Sequence, residues 1–391
     1  MYCNVEQFIL RQHRTSYWTR GGNSSFLKNV VFLLSACVVA VSARVNAAVR
    51  CFRLHKHREM QKAIVLIVLS FFLSSCFSYR EEVRFQNGDV ILSGTLYLPS
   101  KTGSHPAIVF VHGDGPDTRE GYQFFAELFA RRGFAVLIYD KRGTGNSTGD
   151  WRQSRFSDLA DDALAGVKLL KSRNDINTEQ IGLWGGSQGG WIAPLAASRS
   201  RNVSFLIIKS GPGVGPAQLA TYKSVTRVRN AGYSPEVIQQ VTALMNLQFD
   251  ILRTGKGWEK LEAEVQKVRN EPWYRHVAVM RYSSWDSSWM NYGLDIDFDP
   301  VPIFEKLNIP VLSLLGEADV ETPIQETVAV LERIKKERKK DFTVKVFPEA
   351  DHQIELPRQV KNRPRYAPGY LDTMINWTLE RVSVNKQNAS N

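Results

Sequence analysis

Short apolar runs alternate with longer, partly polar stretches between residues 107 and 209. Apolar runs of about four to eight residues are typical of strands that are buried on both faces of a parallel sheet. The runs predict strands over Ala107–Val111, Phe134–Tyr139, Ile181–Trp184 and Phe205–Lys209, and the stretches between them predict helices over Gly121–Arg132, Phe156–Lys171 and Gln188–Ala197. This β-α-β alternation predicts an α/β fold with a mostly parallel central sheet flanked by helices.

A hairpin signal precedes the alternating block, and a helix-rich insertion follows it. Strand-like stretches at Glu82–Gln86 and Val90–Leu98 flank Asn87-Gly88, a dipeptide favoured in tight hairpin turns. From about residue 215 to 300 the chain is helix-rich and aromatic, which predicts a helical cap inserted between late strands. The remaining pattern predicts helices over Gln239–Leu252, Trp258–Val268 and Gly369–Arg381, and strands over Pro310–Leu315 and Thr343–Phe347.

Charge and cysteine content divide the chain near residue 76. Residues 1–75 contain 10 Lys and Arg against 2 Asp and Glu, whereas the remaining 316 residues contain 40 against 37. The four cysteines are Cys3, Cys37, Cys51 and Cys76. The body therefore lacks the basic surplus that would suggest a nucleic-acid partner, and no cysteine lies beyond residue 76 to form a disulfide, a metal site or a nucleophile there.

The apolar run Ala63–Leu73 has the form of an export signal. It follows a methionine and a lysine, and it ends at Leu73-Ser74-Ser75-Cys76. A positive start, about 7–15 apolar residues and small residues before a cleavage point are typical of secretory signals, and a transmembrane helix needs roughly 20 apolar residues. The ending resembles the bacterial lipoprotein box, which implies cleavage before Cys76 and attachment of lipid to it. A plain signal peptide and an uncleaved anchor are the alternatives.

This interpretation sets the expected division of the chain and its destination. Residues 1–59 are an extension outside the native protein, and residues 60–75 are the signal peptide. Residues 76–213 and 301–391 are two parts of an α/β core, and residues 214–300 are the cap. We expect an exported protein, bound to the membrane through lipid on Cys76. Phe77 stands where Asp would suggest inner-membrane retention, so the outer membrane is the expected site.

The segment Gly185-Gly186-Ser187-Gln188-Gly189 matches the pattern G-x-S-x-G. It follows a predicted strand and opens a predicted helix, as a nucleophile elbow requires. The glycines allow a sharp turn, which would hold the Ser187 hydroxyl exposed above the sheet. The alternative is a simple glycine-rich turn without chemistry.

A serine hydroxyl needs a base, and the base needs an acid to orient it. Only His276 and His352 follow Ser187, and His352 lies in a loop after the last predicted strand, where catalytic residues of open α/β sheets are found. We expect His352 to be the base and His276 to be a cap residue. Asp319, in the loop after the preceding strand, is the expected acid, and Glu317 is its nearest rival.

An oxyanion hole needs two N–H groups that point at the developing charge. The backbone N–H of Gln188, directly after the nucleophile, is one expected donor. The N–H of Asp114, in the loop after the first parallel strand, is the other. The Asp114 carboxylate must then point away from this charge or pair with a cation, for which Arg119 and Arg142 are candidates.

These motifs, taken in order, resemble the α/β-hydrolase superfamily, and within it the bacterial carboxylesterases and serine aminopeptidase-like hydrolases. The resemblance covers about residues 82–384. It rests on His112-Gly113-Asp114-Gly115-Pro116, Asp140-Lys141-Arg142-Gly143-Thr144-Gly145-Asn146-Ser147, the Ser187 elbow, Gly316-Glu317-Ala318-Asp319 and Asp351-His352. It implies an α/β-hydrolase fold with a helical cap. The family often has Ser where this chain has Asp114, and the Asp140–Ser147 segment is expected to brace loops near the site.

Ser-His-Asp chemistry implies acyl transfer to water through an acyl-enzyme, with no cofactor and no metal. The expected substrate is a small carboxylic ester. A peptidase or amidase on the same three residues is an alternative, in which Glu271 or Asp286 would hold a peptide amino group. A non-catalytic surface lipoprotein is another alternative. The cap aromatic residues, which either form the cap's own core or line the substrate pocket, are Trp258, Trp273, Tyr274, Tyr282, Trp285, Trp289 and Tyr292. The sequence leaves the oligomeric state open.

Overall fold

The computed structural model describes residues 79–100, 102–277, 295–357 and 365–388. The described residues form an eight-stranded sheet in the order β1-β2-β4-β3-β5-β6-β7-β8. The strands are β1 (Tyr79–Asn87), β2 (Val90–Leu98), β3 (His105–Val111), β4 (Ala135–Tyr139), β5 (Ile176–Gly186), β6 (Phe205–Lys209), β7 (Val311–Gly316) and β8 (Phe342–Phe347). The two pairings made by β2 are antiparallel and the others are parallel, so the predicted mostly parallel sheet is confirmed.

Helices cover both faces of the sheet. They are α1 (Gln123–Ala130), α2 (Phe156–Lys171), α3 (Gly189–Ser198), α4 (Pro216–Asn230), α5 (Pro235–Thr254), α6 (Trp258–Val268), α7 (Val301–Lys306), α8 (Ile324–Arg338) and α9 (Tyr370–Asn388). Short 3₁₀ turns lie at Arg119–Tyr122, Trp151–Gln153 and Tyr274–His276. The observed α2 has the predicted bounds, whereas α1 begins after a 3₁₀ turn that occupies the start of the predicted helix.

The core has two layers, one on each face of the sheet. Successive side chains of a strand point to opposite faces, and β3 follows this rule. Its Val109 packs in the layer that contains Leu159 and Ala163 of α2, whereas Phe110 packs in the layer that contains Phe129 of α1. The wholly apolar sequence of the central strands is therefore explained, because both of their faces are buried.

The helices α4, α5 and α6 share a third hydrophobic cluster. Its buried members include Val241, Met245, Leu261 and Trp273. This confirms the helix-rich character predicted for the insertion, although the exact domain boundaries stay a prediction. The cap aromatics Tyr282, Trp285, Trp289 and Tyr292, together with Asp286, lie outside the described residues.

The predicted extension, signal peptide and lipidated Cys76 also lie outside the described residues. In the part of the chain that the structure covers, no helix is both long enough and apolar enough to cross a membrane.

Since β3, β5, β6, β7 and β8 run parallel, their carboxyl ends meet at one edge of the sheet. The loops that leave this edge carry the candidate chemical residues.

Candidate active site

Ser187 lies in a sharp turn between β5 and α3. Its φ is 53°, a left-handed conformation that is uncommon outside glycine. It is half-buried, whereas its neighbours on both sides are buried. A Cβ at Gly185 would lie 2.2 Å from the Gly189 carbonyl oxygen, and one at Gly189 would lie 2.6 Å from that of Val111. The glycines of G-x-S-x-G are therefore required by close backbone approach, and the turn lifts the serine side chain toward solvent.

His352 and Asp319 form a direct pair. The Nδ1 of His352 lies 2.7 Å from Oδ2 of Asp319. The other oxygen, Oδ1, accepts the backbone N–H groups of Glu321 at 2.7 Å and Thr322 at 3.0 Å. Asp319 is 3% exposed. The carboxylate is thus fixed by its own loop, and it holds the ring with Nε2 as the nitrogen able to accept a proton.

The end of β6 connects Ser187 to the histidine loop. The N–H of Ser187 donates to the Lys209 carbonyl at 2.9 Å. The hydroxyl of Ser210 donates to the His352 carbonyl at 2.8 Å, and the Thr322 hydroxyl donates to the Ser210 carbonyl at 3.1 Å. The structure therefore joins His352 to Asp319 directly, and it anchors Ser187 on Lys209, the last residue of β6, and His352 and the Asp319 loop on Ser210, the next residue.

The rival residues have other surroundings. Glu317 is exposed and accepts the N–H of Glu349 at 3.2 Å. Oδ1 of Asp351 accepts N–H groups of its own loop. The ring of His276 packs beside Tyr233, with centroids 6.0 Å apart. These contacts are structural, and among the histidines and acids considered they leave the His352–Asp319 pair as the candidate base and acid.

The expected oxyanion donors lie on either side of a buried lysine. Gln188 is the N-cap residue of α3, and Asp114 lies between Gly113 and Gly115 in the loop after β3. The Nζ of Lys141 donates to the carbonyls of Gly113 at 2.8 Å and Gly115 at 3.2 Å, and to Oε1 of Gln188 at 3.3 Å. We call Gly113–Gly115 the oxyanion loop.

Sequence reasoning missed Lys141. It considered two arginines as cations near Asp114, but Arg142 binds both oxygens of Asp162 at 2.7 Å, and Arg119 binds Glu82 at 2.7 Å. The position of Lys141, almost directly after apolar β4, was a signal for a location at the site edge, where the ends of central strands lie, but it did not separate Lys141 from its charged neighbours Asp140 and Arg142. The Asp140–Ser147 segment does brace loops: Asp140 accepts N–H groups from Arg119 and Asn146.

Burial lowers the pKa of three basic side chains in and near the site. Removal from water lowers the pKa of Lys141 to about 8, although Asp114 and Asp117 oppose this effect. Burial likewise lowers the pKa of Lys209 to about 8, with Asp319 the main opposing charge. Burial, and then the charge of Lys141, lower the pKa of His112 to about 3. His112 is therefore neutral at physiological pH, and its Nε2–H donates to the Tyr139 carbonyl at 2.5 Å.

The described cap aromatics mainly serve the cap itself. Trp273 is 3% exposed and Tyr274 is 9% exposed, and both belong to the hydrophobic cluster of α4–α6. Glu271, proposed for a peptidase, is exposed in the turn after α6. The described part of these aromatics thus forms cap core.

A cavity of about 650 Å³ opens between α4, α5 and the start of α8. Tyr222, Asp250, Arg253 and Glu326 are among its lining residues. Its link to the candidate site is Tyr222, whose hydroxyl lies 3.5 Å from the Asp319 carbonyl. Within the described residues, no cluster of three or more His, Cys, Asp or Glu side chains could hold a metal ion.

Known proteins resemble this chain over parts of its length. The quorum-quenching protein AidA of Acinetobacter baumannii is 32% identical over 127 residues, which cover 32% of this chain and 42% of that protein. Esterase EstD of Thermotoga maritima is 25% identical over 180 residues, which cover 44% of this chain and 43% of the esterase. The chain therefore spans about two fifths of the length of these curated relatives.

A structure of DcsB in complex with its substrate analogue shares the fold, with a TM-score of 0.50 and 21% identity. The match covers 78% of this chain and 99% of DcsB. The family model described as "Serine aminopeptidase, S33" matches residues 103–357, which include Asp114, Ser187, Asp319 and His352. Because this match covers more than half of the chain, the protein belongs to the S33 serine aminopeptidase family of the α/β-hydrolase superfamily, a family of hydrolases.

Proposed function

We propose that the protein is a serine hydrolase that cleaves carboxylic esters, with Ser187 as nucleophile, His352 as base and Asp319 as orienting acid. The observation that carries the proposal is the 2.7 Å bond between His352 and Asp319, on loops anchored to the strand end that also holds Ser187. This arrangement supports the proposal because a histidine base with its acid and a serine in a left-handed turn are both anchored at the end of β6, and a serine hydroxyl needs such a base to act as a nucleophile.

The reaction has two halves. Ser187 Oγ attacks the ester carbonyl carbon while His352 Nε2 accepts the hydroxyl proton. The imidazolium, stabilised by the Asp319 carboxylate, then gives this proton to the departing alcohol, which leaves an acyl-serine. A water molecule repeats the sequence, giving its proton to His352 and its oxygen to the acyl carbon. The acid is released and the serine recovers its proton.

The tetrahedral intermediates carry a negative oxygen. The N–H groups of Gln188 and Asp114 are the proposed donors to it. The Gln188 N–H lies at the start of α3, where the positive end of the helix dipole adds to the stabilisation.

The ester is preferred because esterase EstD, one of the relatives, is named for that reaction. The family description also favours a second candidate, a peptidase or amidase on the same residues. Amides have a poorer leaving group, so the peptidase needs additional groups that hold the amine. Glu271 is the described acid proposed for that role, and it is exposed in the turn after α6.

The test treats the full chain with a fluorophosphonate probe and then assays short-chain aryl esters and aminoacyl arylamides. We expect labelling and ester turnover in the wild type, and loss of both in Ser187→Ala. The matched control is Ser198→Ala, whose hydroxyl donates to the Leu195 carbonyl of its own helix, and it should label like the wild type. Turnover of arylamides alone would support the peptidase. Folded wild-type protein that neither labels nor hydrolyses either substrate would instead indicate a non-catalytic lipoprotein.

A further inference from the structure

Lys141 is a buried lysine that contacts both segments of the proposed oxyanion hole. It is 2% exposed, although a lysine side chain is almost never fully buried unless it is paired. All three hydrogens of its ammonium group have an acceptor: the carbonyls of Gly113 and Gly115, and the side-chain oxygen of Gln188. One cation thus binds both segments that carry the proposed oxyanion donors.

The geometry of the peptide bond gives this contact a direction. In a planar trans peptide, the C=O of one residue and the N–H of the next point to opposite sides. The Gly113 carbonyl is held at 2.8 Å from Lys141 Nζ. The N–H of Asp114 belongs to the same peptide unit, so it is directed away from Lys141. The lysine therefore sets the orientation of the proposed donor.

The contact with Gln188 acts on the second donor. The side chain of Gln188 is bound by Lys141 at 3.3 Å, and the residue itself is 1% exposed. Its backbone begins α3 directly after Ser187. Holding this residue in place fixes the distance between the oxyanion loop and the nucleophile turn.

The ammonium also places a positive charge beside the site. The groups that face it are Asp114 and Asp117 from the loop after β3, and His112, which is neutral. On another side its Nζ lies 5.0 Å from the ring centroid of Trp151, a cation–π contact. With these neighbours, Lys141 is protonated at neutral pH and deprotonates near pH 8.

We infer that Lys141 is a positioning residue, which aims the N–H groups of Asp114 and Gln188 at the developing oxyanion and contributes its charge to stabilising that oxyanion. The inference rests on the proposed function, because it needs a tetrahedral intermediate at Ser187. A merely structural lysine would brace the fold without affecting the chemical step selectively.

The central variant is Lys141→Met, which keeps the length and the apolar stem but removes the donors and the charge. Loss of one oxyanion donor costs about 10²–10³ in kcat, and misdirection of donors should cost about 10–10². We therefore expect kcat on an aryl ester to fall by about 10–10², with KM changed by less than about threefold, because the interaction matters in the transition state.

The pH dependence of kcat distinguishes a positioning role of Lys141 from a merely structural one. Deprotonation of the ammonium removes one of three donors, so wild-type kcat should fall above about pH 8. Lys141→Met should lose this alkaline limb. Lys141→Arg keeps a charge that does not titrate in this range, so it should recover part of kcat and also lack the limb. Lys209→Met is the matched control, since Lys209 is also buried with a pKa of about 8. Whatever its kcat, it should retain the limb.

Each outcome decides the inference. A folded Lys141→Met enzyme with unchanged kcat overturns it, as does a rise in KM alone, or an alkaline limb near pH 8 that persists in Lys141→Met. If Lys141→Met does not fold, an alkaline limb near pH 8 in both the wild type and Lys209→Met supports the inference, and its absence from the wild type overturns it. Failure of the proposed function looks different, because the wild type would then resist the fluorophosphonate or Ser187→Ala would keep full turnover.

Discussion

At the scale of single residues, the Asp319 carboxylate accepts two backbone N–H groups on one oxygen and the His352 ring on the other. We predict that Asp319→Asn lowers kcat by roughly 10³–10⁴. An amide at this position presents an N–H or a neutral oxygen to Nδ1, and it no longer stabilises the imidazolium or fixes the tautomer that leaves Nε2 free to accept a proton. Steady-state kinetics on an aryl ester, with circular dichroism to check folding, would measure the effect.

Glu317→Gln is the control for this variant. Glu317 lies two residues earlier in the same loop, is exposed and accepts a single backbone N–H from Glu349. The Glu317→Gln variant should retain the wild-type kcat within about threefold, since surface substitutions of this kind have small effects. Comparable losses in both variants would refute the assignment of Asp319, because they would point to general disturbance of the loop.

His112 gives the fold a predictable sensitivity to acid. Its pKa in the folded state is about 3, against roughly 6.5 for an unperturbed histidine. Between these values the unfolded chain binds a proton that the folded protein does not bind, so stability falls as the pH is lowered from about 6.5 toward 3. The contribution of this one residue is about 1.4 kcal/mol per pH unit.

We predict that His112→Gln removes this contribution. Urea unfolding should measure the free energy of unfolding of the wild type and of the variant. Above about pH 7.5 the His112 imidazole is neutral in both the folded and the unfolded protein, so the difference between the two free energies should be constant there. That constant difference reports the change in packing. Below pH 6 the wild type should lose stability relative to the variant, by about 1.4 kcal/mol for each pH unit. Parallel curves between pH 4 and 6 would mean that the buried ring is protonated in the folded protein.

The sequence could predict the candidate nucleophile, base and acid, but it could not predict which positively charged side chain contacts the site. The order and context of the motifs predicted Ser187, Asp319 and His352 as candidates, and the structure places the last two in contact. Three consecutive positions, Asp140, Lys141 and Arg142, are all charged and all buried. Their directions after the strand end depend on the backbone of the loop, and sequence pattern carries no information on that.

At the scale of elements, α3 crosses the end of β6 at very short range. A Cβ at Gly190 would lie 2.4 Å from Cα of Gly211, and the obstacle is backbone rather than a flexible side chain. We predict that Gly190→Ala destabilises the protein by about 1–3 kcal/mol, through overpacking that pushes α3 away from the strand. Thermal or urea unfolding would measure the loss of stability, and ester turnover should fall because Ser187 lies two residues before the same helix.

Gly121→Ala provides the comparison at this scale. Gly121 lies in the 3₁₀ turn before α1, and a Cβ added there meets nothing within 4 Å. The free energy of unfolding of the Gly121→Ala variant should stay within about 0.5 kcal/mol of the wild-type value. Equal stability of the two variants would show that the backbones of α3 and Gly211 can separate at no cost.

Elements were predictable where burial is uniform. The central strands are apolar throughout because both faces are covered, and α2 was predicted to the residue. The helix α4 was not singled out, because its buried side carries few large apolar residues. Leu219 and Val228 are two of them. The start of β5 was also missed, since residues 177–180 are polar and the β3–β5 pairing has an irregularity between His105 and Ala107.

At the scale of the whole molecule, the site depends on contacts between distant parts of the chain. Ser210, after β6, bonds to His352, which lies 142 residues later. The cap helices bury an apolar cluster of their own, and they meet the site loops at Tyr222 and at the Lys223–Glu321 ion pair. The sequence pattern predicted the strands and the later cap helices α5 and α6 separately, but it did not single out α4, which carries Tyr222 and Lys223. The contacts between segments were predictable only where family resemblance supplied the order of the motifs.

We propose that this hydrolase is exported and held on the bacterial envelope by lipid on Cys76, three residues before β1 begins at Tyr79. The mature chain would then start next to the folded domain, and the enzyme would act close to the membrane surface. A single acyl chain binds membranes only marginally, whereas two or more chains give stable anchoring. With two or more chains on Cys76, the wild type should sediment with membranes and dissolve only in detergent.

Cys76→Ser should move the protein out of the detergent-soluble membrane fraction without changing kcat on a water-soluble aryl ester, because the proposed site residues all lie beyond residue 110. Cys51→Ser is the matched control, since Cys51 lies in the extension that is expected to be outside the native protein, and this variant should fractionate like the wild type. Mass spectrometry of the mature N-terminus would show a lipidated Cys76 and no peptide from residues 1–59. Recovery of such a peptide from the native protein would contradict both the expected extension over residues 1–59 and the anchor, since cleavage before Cys76 leaves none of it attached.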